Sequence, residues 1–172
     1  MSRRSRPVPA EVRVIDTGAL IELKKLLPVG DQWPLLVRMT VLVEKGHLAF
    51  PRQVTSEVKH VRWPDAPGAW AAGNKGWCVH SQPRDEYVAE ALGAAQLTDP
   101  NAESDIEPAD PYVVAMALQI RDNNPGCQVY VVTTDRVDRM PAKESVVTAC
   151  DRLVVPCSTP EEFVDWLREQ DV

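Results

Sequence analysis

Two runs of β-branched residues set the main constraint on this chain: Val-Arg-Val-Ile at 12–15 and Gln-Val-Tyr-Val-Val-Thr-Thr at 128–134. Each leads directly into an aspartate, Asp16 and Asp135. β-Branched residues favour strands, and short, almost wholly apolar runs belong to strands covered on both faces. Between them the spacing turns helical. Leu20 to Leu27 are closed by Pro28. A span at 32–45 places Leu35, Leu36, Met39, Leu42 and Val43 on one face, with Asp31 as cap and Gly46 as stop. Residues 84–96 and the strongly apolar 111–121 read as further helices. Strands alternating with helices predict an α/β fold of three layers, α/β/α, around a central, mainly parallel, Rossmann-like sheet.

The remaining segments fit that frame. Residues 47–50 are a second strand, and Pro51 opens a helix through Val54, Glu57, Val58 and Val61 toward Pro64 and Pro67. Trp63, Trp70 and Trp77 recur every seventh residue, but Pro64, Pro67, Gly68, Gly73 and Gly76 forbid a continuous helix. Residues 63–82 are therefore expected to be a structured loop or broken helix, with a tryptophan lid over a groove as the sharper alternative. An acidic, proline-containing connection spans 97–107. A helix near 142–150, a strand at 153–155 and a final helix at 160–170 follow, the last with Thr159 as N-cap, Pro160 at its first position and Glu162 completing a capping box. The whole suits one domain over 10–172, preceded by a basic tail at 1–9 expected to be disordered.

Composition narrows the function classes. A net charge of −6 argues against a surface that coats nucleic acid, although acidic ligands of a metal would inflate that count. Cys78, Cys127, Cys150 and Cys157 have neither CxxC pairing nor histidines at zinc-finger spacing. The basic N-terminus has no apolar run behind it, and residues 112–120 are too short to span a bilayer. The expectation is a protein of the reducing cytoplasm, with no membrane association.

Four acids carry the chemistry. Asp16 and Asp135 sit where a parallel sheet opens its C-terminal edge to ligands. Glu57 and Asp110 lie on helices able to lean over that edge. Hard oxygen ligands of this kind suit Mg²⁺ or Mn²⁺, whereas without a cation the four charges repel one another. Each acid also has a plainer role available: Asp16 and Asp110 as helix N-caps, Glu57 as a surface charge paired with Lys59 or Arg62. Thr17 could cap the first helix or orient Asp16, and Thr133 and Thr134 could bind ligand waters or phosphate. Asp138 reads as a turn residue close enough to substitute as a ligand.

In their order and placement, Val-Ile-Asp-Thr at 14–17, Ser-Glu-Val-Lys at 56–59, Ala-Asp-Pro-Tyr at 109–112 and Val-Thr-Thr-Asp at 132–135 resemble the motifs of the PIN-domain family of metal-dependent nucleases. The resemblance covers roughly 12–157. It is nearest to an uncharacterised branch with a long insertion between the second and third acids, here around 63–107, and more distantly similar to the toxins of bacterial toxin–antitoxin pairs. It implies a PIN-like fold in which Asp16, Glu57, Asp110 and Asp135 form the catalytic, Mg²⁺- or Mn²⁺-binding set. It further implies an RNA substrate cleaved to a 3′ hydroxyl and a 5′ phosphate, an antitoxin partner, and a homodimer. Where the family often reads Asp-Thr-Asn, this chain has Asp16-Thr17-Gly18.

Lys59, His60 and Arg62, or Arg136 and Arg139, are candidate contacts to a substrate backbone, as is the Arg3, Arg4 and Arg6 tail. His47 and His80 read as structural. Two other readings compete. A haloacid-dehalogenase-type, Mg²⁺-dependent phosphatase needs a second aspartate two residues after the first, and Gly18 stands there. A catalytically impaired protein-interaction module is the non-enzymatic alternative.

Overall fold

In the computed structural model, which describes residues 9–59, 65–77 and 79–172, four parallel strands form one sheet in the order β2-β1-β3-β4. They are β1 (Glu11–Ile15), β2 (Leu48–Ala49), β3 (Gln128–Val132) and β4 (Cys157–Ser158). The two β-branched runs are the central pair, matched residue for residue from Glu11↔Gln128 to Ile15↔Val132. Val12, Val14, Ile15, Val131 and Val132 are buried on both faces of the sheet, which explains why their pattern does not alternate.

Helices α1 (Thr17–Leu26) and α2 (Val29–Lys45) join β1 to β2. Helices α3 (Arg52–Lys59), α4 (Ala66–Gly73), α5 (Asp85–Ala94) and α6 (Asp110–Asn123) lie between β2 and β3, α7 (Val146–Leu153) joins β3 to β4, and α8 (Pro160–Glu169) ends the fold. One layer is built from α5, α6 and α7, with α6 against β1 and β3; the other gathers α1, α2, α4 and α8. The architecture is the expected three-layer α/β/α. Helix α6 is apolar on every side because it is covered on every side: residues 113–120 are all buried. Full burial of a side chain such as Met116 or Leu118 contributes about 2 kcal/mol, so a charge introduced there would break the layer.

β1 departs to a neighbour on one side and β3 to a neighbour on the other. The switch point of the sheet therefore falls between them, where parallel α/β sheets open a crevice at their carboxyl ends. The Asp16 N–H still donates to the Val132 carbonyl at 3.0 Å, so Asp16 and Thr133 leave the sheet side by side.

Several boundaries differ from expectation. The helix placed near 142–150 is α7, Val146–Leu153, and it consumes the predicted strand at 153–155. Val154 closes it in a left-handed conformation, φ 58°, and the strand forms later, at Cys157–Ser158. Helix α2 begins at Val29, so Asp31 lies in its first turn and does not cap it. Residues 63–82 contain an ordered helix, α4, capped by Asp65. The tryptophan lid is not formed: Trp70 is a core residue against Phe50, its indole N–H donating to the Thr40 hydroxyl at 2.8 Å, and Trp77 packs on the core. The final helix begins as predicted, with Thr159 and Glu162 closing a capping box. The tail at 1–8, Val61, Trp63 and Cys78 lie outside the described residues. No helix of the described residues is long and apolar enough to cross a membrane.

Candidate functional site

Asp16 occupies the first position beyond β1 and is only 3% exposed. Its Oδ1 accepts from the Ala19 N–H at 2.7 Å and so caps α1, while Oδ2 accepts from the Thr133 hydroxyl. Capping and site roles therefore coexist in one carboxylate. Burial, and then the nearby charges of Asp110 and Asp135, push its pKa up to about 7 against the pull of Thr133 and Ala19. Thr133, not Thr17, is the residue that orients Asp16.

Asp135 stands at the mouth of α7, where its Oδ2 accepts from the Val146 N–H at 3.2 Å. Asp138 is a turn residue, accepting from the Ser145 N–H and the Thr148 hydroxyl, each at 2.7 Å. Asp110 is not the N-cap of α6. It is the first helical residue after Ala109, and no side chain caps that helix. Its carboxylate instead meets the ammonium of Lys143. The same ammonium lies 3.0 Å from Asp135 Oδ2, and Arg139 approaches the other Asp135 oxygen at 3.7 Å.

Glu57 reaches the cluster from α3, with its Oε1 accepting from the Ala109 N–H at 2.5 Å. Glu57 is therefore a part-buried, hydrogen-bonded group; Lys59 is exposed, and Arg62 lies outside the described residues. Burial raises the Glu57 pKa, Ala109 and Thr17 hold it down, and Asp110 raises it again. Burial likewise keeps Asp110 above the usual carboxylate range despite Lys143. Thr17 neither caps α1 nor binds Asp16. Its buried hydroxyl faces Glu57 without reaching hydrogen-bond geometry and has no other partner.

Four carboxylates from four separate stretches of chain thus gather at the switch point. Among the described residues no three acids already converge on a single point as a finished metal-ligand set; Lys143 stands between two of them. The donor set nevertheless fits a hard divalent cation: carboxylate oxygens and an orphaned buried hydroxyl at Thr17. Fitting one requires Lys143 to move aside.

A groove of about 740 Å³ opens from this centre. Thr17, Glu57, Asp110 and Lys143 form its polar end, and Ile21, Leu97, Ile106 and Pro108 its apolar walls. Arg136 is exposed and lines a separate hollow with Thr133 and Thr134; Arg62 and His60 lie outside the described residues. His80 is structural, paired with the Gly46 carbonyl at 2.7 Å.

Gly18 has a steric reason. A Cβ there would come within 2.4 Å of the Thr134 hydroxyl, so neither an asparagine nor an aspartate fits at this position beside Thr134 as it stands.

Lys143 is the residue that sequence reading missed. It lies in the irregular stretch after β3, where a single lysine carries no periodic signal; only its position eight residues beyond a strand-end aspartate hinted at reach. Neither a curated protein nor a solved structure matches the chain. A family model does, over residues 14–171, and its span takes in all four acids and Lys143: the chain belongs to the family described as DUF4411, a domain of unknown function.

Proposed function

We propose that this protein is a metal-dependent ribonuclease of the cytoplasm whose reaction centre is Asp16, Glu57, Asp110 and Asp135. The observation that carries the reading is the gathering of four carboxylates at the switch point of a parallel sheet, three of which, Asp16, Glu57 and Asp110, have raised proton affinity, Asp16 buried with its pKa near 7. Like charges held this close oppose folding, and strongly perturbed acids in a cleft mark functional sites. A Mg²⁺ or Mn²⁺ ion held by Asp16, Asp110 and Asp135, with Glu57 at its edge, would polarise the phosphoryl oxygens and favour deprotonation of the attacking water.

The chain's own residues supply the positioning. Thr133 fixes the Asp16 carboxylate, the Ala109 N–H fixes Glu57 and the Val146 N–H fixes Asp135. Glu57, with its raised proton affinity, is suited to take the water's proton as the oxygen attacks phosphorus. The bond from phosphorus to the 3′ oxygen then breaks, leaving a 3′ hydroxyl and a 5′ phosphate. The apolar groove receives the RNA segment beside the scissile bond. If the protein is a toxin, its antitoxin is a protein that covers this acidic end with a basic side chain.

In the deciding experiment, millimolar Mn²⁺ raises the melting temperature of the wild type, and Asp16→Asn removes most of the shift. EDTA-sensitive cleavage of labelled RNA falls on the order of a hundredfold or more in Asp135→Asn. Equal cleavage by both proteins would sink the nuclease reading. One observation favours the interaction module instead: Lys143 already supplies a cation to the acids. That module predicts no Mn²⁺ shift at all.

A further inference from the structure

Lys143 is half-buried and placed between Asp110, on α6, and Asp135, just beyond β3. The ammonium thus stands between two proposed metal ligands, in contact with the Asp110 carboxylate and 3.0 Å from that of Asp135. Its backbone is pinned. Arg139 and Lys143 exchange N–H···O=C bonds of 2.8 and 3.2 Å, the next N–H, of Glu144, donates to the Gln96 carbonyl at 2.8 Å, and Ser145 is held by Asp138. A lysine on a fixed loop has one freedom left, the swing of its four-carbon stem. The groove gives that stem somewhere to go, because Lys143 lines it together with Glu57 and the orphaned Thr17.

We propose that Lys143 is a positioning residue with two stations: it is the counter-cation of the carboxylate centre before metal arrives, and a divalent ion displaces it into the groove, where it pairs with a phosphate of the substrate. The proposal rests on the metal-nuclease reading above. Two cations cannot share the space between Asp110 and Asp135 without mutual repulsion, so metal entry and ammonium exit are one event. The displaced charge remains within a side chain's length of the acids, at the wall where a phosphodiester must pass. Asp110, Asp135 and Glu57 face it along this path, and Asp99 lines the groove that the stem would enter.

The test uses the full chain and Mn²⁺ alone as the first probe. Titration calorimetry is expected to give Lys143→Met an Mn²⁺ affinity about tenfold tighter than the wild type, because the competing cation is gone; a merely structural lysine predicts weaker binding on its loss. Independently of any variant, amine acylation of the wild type read by mass spectrometry should speed up at Lys143 on adding Mn²⁺, since the ammonium leaves its carboxylates. With single-stranded RNA, Lys143→Met should raise KM about tenfold while kcat changes less, and Lys143→Arg should restore most of the KM. Mn²⁺ that binds without tightening in Lys143→Met, or without changing acylation, overturns the displacement. An unchanged KM overturns the phosphate station. A wild type that binds no Mn²⁺ removes the metal-nuclease reading and this proposal together, an outcome distinct from either failure alone.

Discussion

Arg13 within β1 and Asp16 just beyond its carboxyl end are both buried charged residues, and they are treated in opposite ways. Arg13, 9% exposed, is enclosed by partners: Glu11 at 3.0 Å, the Tyr130 ring at 4.6 Å and the Trp166 ring at 4.1 Å, with only its Nε left without a bond. Asp16, 3% exposed, has its pKa raised to about 7 chiefly by burial, with the nearby Asp110 and Asp135 carboxylates adding to the rise. One charge is buried with compensation and the other with opposition. The middle of the strand is arranged for stability, whereas its carboxyl end keeps an unfavourable arrangement that a bound cation would relieve.

The strongest way to break this contrast is pH. Asp16 has a folded pKa raised from 3.8 to about 7, so its contribution to stability is fully present below about pH 4 and lost as pH rises toward 7. In EDTA, urea unfolding should show the wild type less stable at pH 8 than at pH 5 by up to about 3 kcal/mol relative to Asp16→Asn, which cannot titrate there. A wild type and variant with parallel pH profiles would mean that Asp16 is not opposed in the way described.

A smaller effect sharpens the other half. Arg13→Met keeps much of the stem but loses the guanidinium stacked on two rings, and should cost about 2 kcal/mol, equally at pH 5 and pH 8. A cost that varied across that range would tie Arg13 to the carboxylate end and erase the contrast. The smallest expected change is at the edge of the site. Gly18→Ala should destabilise by about 1 kcal/mol through the Thr134 hydroxyl, and Gly18→Ala combined with Thr134→Ser or Thr134→Ala should distinguish the clash: only the alanine removes the oxygen. Non-additivity confined to the Thr134→Ala pair is the expected result of the double-mutant cycle.

These features were unequally legible in the sequence. Strands β1 and β3 were visible because their β-branched runs are central and doubly covered, and the last helix because Thr159, Pro160 and Glu162 specify its start locally. β4 was misplaced because it is two residues long, and Val154, a strand former by propensity, is instead the left-handed terminus of α7. The four acids were found by order and position, with Asp16 and Asp135 read from strand ends alone. The orientation of Asp16, expected of Thr17, falls to Thr133, since which hydroxyl reaches Asp16 depends on the β1–β3 register, a long-range quantity. Lys143 was invisible for a related reason: its partners lie on α6 and beyond β3, and nothing local in the sequence marks a lysine that turns inward.

The central strand pairing has one further consequence, for the chain as it is being made. Asp16 and Asp135 are about 120 residues apart, and β1 cannot find β3 until the whole segment between them has left the ribosome. The residue that would neutralise the assembled acids, Lys143, emerges just after the last of them. A growing chain therefore has no centre while that segment is made, and acquires the acids and their own cation nearly together.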